Sequence, residues 1–140
     1  MAVTILIMGL STSGKTTLAR SLVSLFNDIG KNVEWFNADD IRKKYNDWDF
    51  SEEGRLRQCD RMIELCNTSK ANYIICDFIA PLKKIRDKFK PDYLIWMDTI
   101  KESKYKNTDI IFEPPTHCDI RVSTKNSGKW AKTIFHKIII

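Results

Sequence analysis

Five short stretches of the chain are largely apolar, and each ends in a break to small or polar residues. Val3-Thr4-Ile5-Leu6-Ile7-Met8 is continuous and rich in β-branched residues, as expected of a strand buried on both faces. Val33-Glu34-Trp35-Phe36, Asn72-Tyr73-Ile74-Ile75-Cys76-Asp77 and Tyr93-Leu94-Ile95-Trp96-Met97 read the same way, and Asp119-Ile120-Arg121-Val122 is the expected last strand. Between these runs the period changes. Leu18, Ala19, Leu22, Val23, Leu25, Phe26 and Ile29 recur at helical spacing, with Gly30 placed to end the helix. Leu56, Cys59, Met62, Ile63, Leu65 and Cys66 mark the buried side of a helix opened by Ser51-Glu52-Glu53. A short basic helix over 82–89 is closed by Pro91, and Trp130, Ile134, Phe135 and Ile138 face inward from a terminal helix over 127–140. Strands alternating with helices predict an α/β fold of three layers, a five-stranded parallel sheet covered on both faces. With no internal repeat, linker or low-complexity tract, residues 1–140 are expected to form a single domain.

The break after the first strand carries chemistry. Gly9-Leu10-Ser11-Thr12-Ser13-Gly14-Lys15-Thr16 fits the phosphate-binding pattern G-x-x-x-x-G-K-[ST] at every fixed position, between a strand and a helix as a working P-loop requires. In such a loop the backbone around Gly9, Ser11, Thr12, Ser13 and Gly14 approaches the phosphates, and the helix N-terminus at Lys15, Thr16 and Thr17 adds its positive dipole end. Lys15 would reach the β- and γ-phosphates and the Thr16 hydroxyl would ligate Mg²⁺, so ATP and Mg²⁺ are the expected cofactors. Asn37-Ala38-Asp39-Asp40-Ile41-Arg42 follows the second strand, where polar residues of an open α/β sheet meet ligands; this places Asp39 and Arg42 near the phosphates. The same stretch also reads as a helix start with Asp40 as its N-cap. Asp77 has the place of a Walker B acid that holds the Mg²⁺ shell or a water, although many strands end in Asp. Arg55 and Gln58 lie one turn apart and project together, either towards a ligand or as a solvated face. Residues 100–109, with Lys101, Lys104, Tyr105 and Lys106, are polar and basic without an apolar period; they read as a lid over phosphates or as a solvated helical hairpin.

Composition sets limits. At 43% hydrophobic and 29% charged residues the chain is of globular type, and 140 residues suffice for a core. A net charge of +5 suits an anionic ligand, but Lys and Arg are spread along the chain, so a nucleic-acid partner is not indicated. There is no positively charged leader with a cleavage site and no apolar run of roughly 18 residues, so a cytosolic protein without a membrane segment is expected. Cys59, Cys66, Cys76 and Cys118 lack C-x-x-C spacing and read as reduced thiols, and His117 and His136 as structural or exposed groups.

Taken in order, several segments between Val3 and about Val122 resemble the adenylylsulfate kinase family. Gly9-Leu10-Ser11-Thr12-Ser13-Gly14-Lys15-Thr16-Thr17 is similar to its G-L-S-G-x-G-K-[ST]-T, and Asn37-Ala38-Asp39-Asp40-Ile41-Arg42 to its D-G-D-N-[VI]-R. Phe50-Ser51-Glu52-Glu53-Gly54-Arg55-Leu56-Arg57-Gln58 resembles F-S-x-x-D-R-x-x-N, Phe78-Ile79-Ala80-Pro81 resembles F-I-S-P, and Phe112-Glu113-Pro114-Pro115 resembles Y-E-P-P. The resemblance implies a P-loop kinase with strand order 2-3-1-4-5, often dimeric. The implied reaction moves the ATP γ-phosphoryl group to the 3′-hydroxyl of adenosine 5′-phosphosulfate, a step of sulfate assimilation. By position, Lys15 and Asp39 would be catalytic, Asp39 taking or orienting the hydroxyl proton. Arg42 and Arg55 would hold the phosphosulfate, Phe50 and Tyr105 would sandwich the adenine, and Gln58 and Ile79 would add contacts. The chain departs from the pattern at Asn37, Gly54, Gln58 and Ala80, and the family's K-G-L-Y-K-K-A-R lid has no full counterpart between Asp98 and Phe112. A P-loop kinase of another hydroxyl (nucleoside, nucleotide, sugar or polynucleotide 5′ end) and a poorly active nucleotide-binding module are the other readings of the same residues.

Overall fold

The computed structural model describes residues 2–139. The chain runs β1 (Val3–Met8), α1 (Lys15–Asp28), β2 (Val33–Asn37), α2 (Ala38–Tyr45), α3 (Glu52–Thr68), β3 (Tyr73–Asp77), α4 (Lys83–Phe89), β4 (Tyr93–Met97), α5 (Lys106–Ile111), β5 (Ile120–Val122) and α6 (Ser127–Ile139). All strand pairs are parallel and the sheet order is β2-β3-β1-β4-β5, as the resemblance implied. The last position of the expected terminal helix, Ile140, lies outside the described residues.

The alternation of β1 divides the core into two layers. Ile5 and Ile7 face α1 and α6, where they meet Leu18, Leu22, Phe26, Ala131 and Ile134. Leu6 and Met8 face the other side, against Ile41, Cys59, Met62, Ile85 and Phe89 of α2, α3 and α4. β1 is an unbroken apolar run because its four residues from Ile5 to Met8 are fully buried, two on each side. Phe26 locks its layer with a stacked contact to Tyr73, centroids 4.5 Å apart, and an edge contact to Phe135 at 5.2 Å. Gly30, at φ 72°, turns the chain out of α1, and Lys31 N–H returns to the Phe26 carbonyl at 2.9 Å. Cys59 and Cys76 are core residues and Cys66 and Cys118 are half-buried. Among the described residues no helix is long and apolar enough to cross a membrane.

Two local expectations are corrected. The N-cap of α2 is Asn37, whose side-chain oxygen accepts from Asp40 N–H at 3.1 Å; Asp40 is already inside the helix, because the strand ends one peptide before Ala38 and the helix begins at once. The segment 100–109 is no helical hairpin. It is an irregular stretch followed by the single short helix α5, with Thr108 buried and Ser103 tied to the Asp109 carboxylate by its N–H at 2.8 Å and its hydroxyl at 2.7 Å.

Because the sheet is parallel, the carboxyl ends of β1, β2, β3 and β4 open on one rim. The P-loop, Asn37, Asp77 and Asp98 follow or end these strands there.

Candidate active site

The rim bounds a cavity of about 1460 Å³, lined by the P-loop, the start of α2, the loop before α3, the carboxyl end of β3 and the segment around α5. That exceeds the roughly 300–1,000 Å³ of a site for one small ligand, and suits a donor and an acceptor held together.

The P-loop is shaped by backbone conformation. Thr12 (φ 66°) and Gly14 (φ 105°) are left-handed, and no side chain caps α1, so its first N–H groups are left for a ligand. Ser11, Thr12, Gly14, Lys15, Thr16 and Thr17 all line the cavity. Gly9 and Ser13 do not. A Cβ on Gly9 would stand 2.8 Å from the Met97 carbonyl and from Ser13 Oγ, so this glycine lets the loop pack on β4. Ser13 donates its N–H to the Leu10 carbonyl at 3.1 Å and accepts from the Thr99 hydroxyl at 2.6 Å; both residues build the cradle from behind. The Lys15 amine donates to the Leu10 carbonyl at 2.9 Å. Its burial lowers the pKa from 10.5 to about 8, against the pull of Asp77 and Asp39, which favour the charged form.

Asp39 lines the same cavity, exposed in the first turn of α2, and Gln58 holds the residue before it. The Gln58 amide donates to the Ala38 carbonyl at 2.9 Å and its oxygen accepts from Arg61 at 3.2 Å. Gln58 is therefore largely occupied in holding the residue before Asp39. Arg42 and Arg55 are only 4% and 6% exposed, which removes the reading of Arg55 and Gln58 as a solvated face. Arg42 donates to the carbonyls of Asp47 and Asp49 at 3.0 and 3.1 Å, and its guanidinium lies 4.3 Å from the Phe50 ring centroid. Arg55 donates to the Phe50 carbonyl and the Thr108 hydroxyl, each at 2.9 Å, with its guanidinium 5.2 Å from the same ring. Phe50 is thus framed by two cations that also fix its loop and α5. Among the described residues neither arginine has an ion-pair partner. Two buried like charges beside a cavity suit an anionic ligand.

Phe50 and Tyr105, about half exposed, both line the cavity, as do Asp77 and Ile79. Of the three lysines in residues 100–109, Lys104 and Lys106 line it too, whereas Lys101 reaches back to Asp98 at 3.3 Å. Sequence reasoning missed Trp48, a third aromatic on the cavity wall, which lies in a loop without periodicity. It also missed Arg86, buried on α4, which donates to the carbonyls of Ala80 and Glu113 at 2.7 Å each and binds the F-I-A-P turn to the F-E-P-P turn.

Similarity to known proteins follows the same outline. The family model for adenylylsulphate kinase matches residues 1–96. The probable adenylyl-sulfate kinase of Archaeoglobus fulgidus is 37% identical over 137 residues, covering 96% of this chain and 80% of that protein. The probable adenylyl-sulfate kinase of Pyrococcus abyssi is 28% identical over 134 residues, covering 94% and 70%. Among solved structures, the Mycobacterium tuberculosis APS kinase CysC in complex with AMPPNP and APS superposes with a TM-score of 0.80 over 99% of this chain and 98% of that one; at 16% identity this likeness speaks for the fold.

Proposed function

Since the chain belongs to the adenylylsulphate kinase family, we propose that its cavity transfers the γ-phosphoryl group of ATP to the 3′-hydroxyl of adenosine 5′-phosphosulfate, with residues 1–140 acting as one kinase domain. The observation that carries the reading is the pair of buried guanidiniums of Arg42 and Arg55, without an ion pair among the described residues, framing an aromatic ring in the cavity that a P-loop also lines. An aromatic face beside fixed positive charge suits a nucleotide with an anionic 5′ group.

The loop amides and Lys15 hold the donor phosphates, and the arginines orient the acceptor. Asp39 stands free in the cavity to receive or direct the hydroxyl proton. Phe50 stacks on the acceptor base, with Tyr105 and Ile79 also lining the cavity and Gln58 fixing the backbone that carries Asp39. The residues near the phosphates fit Mg²⁺, because Thr16 presents a hydroxyl oxygen at the cavity and Asp77 a carboxylate, the hard oxygen donors this ion prefers. Thr16 would hold it directly and Asp77 through water, and the ion supplies neutralisation of charge on the β- and γ-phosphates. Lys104 and Lys106, one on each side of Tyr105, take the place of the longer family lid.

The test is an ATP phosphoryl-transfer assay with adenylylsulfate beside nucleosides, nucleotides and sugars, the product resolved by mass. A 3′-phosphorylated adenylylsulfate is expected, and transfer to a different acceptor would overturn the substrate assignment. Asp39→Asn should lower kcat by roughly 10²–10⁴-fold with a smaller change in KM. An unchanged kcat would leave Asp39 as a helix-start residue only.

A further inference from the structure

The parallel register sets Asn37, the last residue of β2, directly beside Asp77, the last residue of β3. Asp77 is 2% exposed. Its carboxylate accepts from Trp35 Nε1 at 2.6 Å and from Asn37 Nδ2 at 3.0 and 3.2 Å. Burial pushes the Asp77 carboxyl above its usual range, and the donors Trp35 and Asn37 work against that by bonding the ionised form. Asn37 is fully employed: the same amide nitrogen reaches the Thr16 hydroxyl at 3.3 Å, and its oxygen accepts from Asp40 N–H to cap α2. The Arg20 guanidinium lies over the indole, 5.9 Å from the Trp35 ring centroid. One network therefore joins the P-loop threonine, a buried acid and the helix that carries Asp39.

We propose that Asp77 supplies from β3 the carboxylate that the D-G-D-N-[VI]-R pattern puts at the position of Asn37, and that Asn37 and Trp35 are positioning residues that hold it beside Thr16. The proposal rests on the phosphoryl-transfer reading above. It explains the departure at position 37 in physical terms. Neighbouring strands are roughly 4.8 Å apart, so acids at both positions would face each other within hydrogen-bonding distance and repel. An acid on one strand and an amide on the other preserve a single negative charge at the rim and bond it to its neighbour. Exchanging the two preserves the hydrogen bonds: Asp at 37 still caps α2 and accepts from an Asn at 77, whose own oxygen still accepts from Trp35 Nε1.

The experiment compares Asn37→Asp, Asp77→Asn and the double exchange with the wild type by three readouts. These are ADP affinity with Mg²⁺ and with chelator, the unfolding midpoint in chelator, and kcat with adenylylsulfate. Asp77→Asn is expected to reduce the Mg²⁺ enhancement of ADP affinity by roughly 10- to 100-fold. Asn37→Asp should lower the unfolding midpoint, since it creates two facing carboxylates. The double exchange should recover the Mg²⁺ enhancement to within about threefold of wild type and return the unfolding midpoint to that of the wild type, because the two sites are coupled. Double-exchange losses equal to the product of the single losses would overturn the proposal, as would Asp77→Asn with its Mg²⁺ enhancement intact. Trp35→Phe keeps the ring and removes the N–H; it should weaken the Mg²⁺ enhancement, and no effect would overturn the part assigned to Trp35. If the wild type phosphorylates another acceptor, the substrate assignment falls while the affinity and unfolding comparisons still decide this one.

Discussion

Nucleotide binding by this chain should be coupled to uptake of a proton at Lys15. The ligand-free amine is bonded to the Leu10 carbonyl and titrates near 8, where a free lysine titrates at 10.5, because burial disfavours its charged form. The difference, 10.5 − 8, corresponds to roughly 3 kcal/mol of disfavour for the cation. A diphosphate in the loop supplies the anion that burial lacks, so the bound state favours the ammonium. At pH 9 about one-tenth of the ligand-free protein carries the charge, and binding should take up about 0.9 proton per nucleotide; at pH 7 the uptake falls to about 0.1. Titration calorimetry of ADP in buffers of different ionisation heat reads this number directly. ADP affinity should decline by up to about tenfold per pH unit above 8. Lys15→Arg, charged throughout this range, should show no uptake. Equal proton counts at pH 7 and 9 in the wild type would refute the reasoning. The sign for stability is the reverse of that for binding. The folded pKa lies below the unfolded one, so the unfolded chain binds more protons between about pH 8 and 10.5, and the Lys15 contribution to stability rises with pH through that window.

Gly54→Ala should destabilise the protein by roughly 1–3 kcal/mol, because an added methyl would overlap the Asp49 carbonyl. A thermal midpoint equal to wild type would show that the loop before α3 does not pass this close. Phe50→Ala should raise KM for adenylylsulfate by roughly 10- to 100-fold, the worth of one base stacked on a ring. An unchanged KM would assign the base to another aromatic, Trp48 or Tyr105.

The layered sheet and the P-loop were legible because each rests on local signals that agree: uninterrupted β-branched runs, a change to helical period, and a motif seated between the two. The pairing of Arg55 with the core was half legible. Arg55, Gln58, Cys59 and Met62 follow the i, i+3, i+4, i+7 stripe, so the apolar members imply burial of the two polar ones, which the spacing alone leaves facing a ligand or solvent. Their partners, the Phe50 carbonyl, Thr108 and the Ala38 carbonyl, lie at separations no local pattern reports. The same limit hid the order around α5, where Thr108 is fixed by Arg55 from 53 residues away. Asn37 was legible as a departure from a motif. Only the strand register shows that its neighbour is an acid.

Placing β1 in the middle of the sheet has a consequence for the nascent chain. Of the five strands of this sheet β1 leaves the ribosome first, and it finds its two partners only at residues 73–77 and 93–97, and the cover for α1 only at 127–139. Long-range parallel pairing of this kind closes large loops before it gains contacts, so folding should be slow and late. Until those partners emerge, the run from Ile5 to Met8 is an apolar strand with both edges open, and it is the segment a holdase chaperone would be expected to bind first.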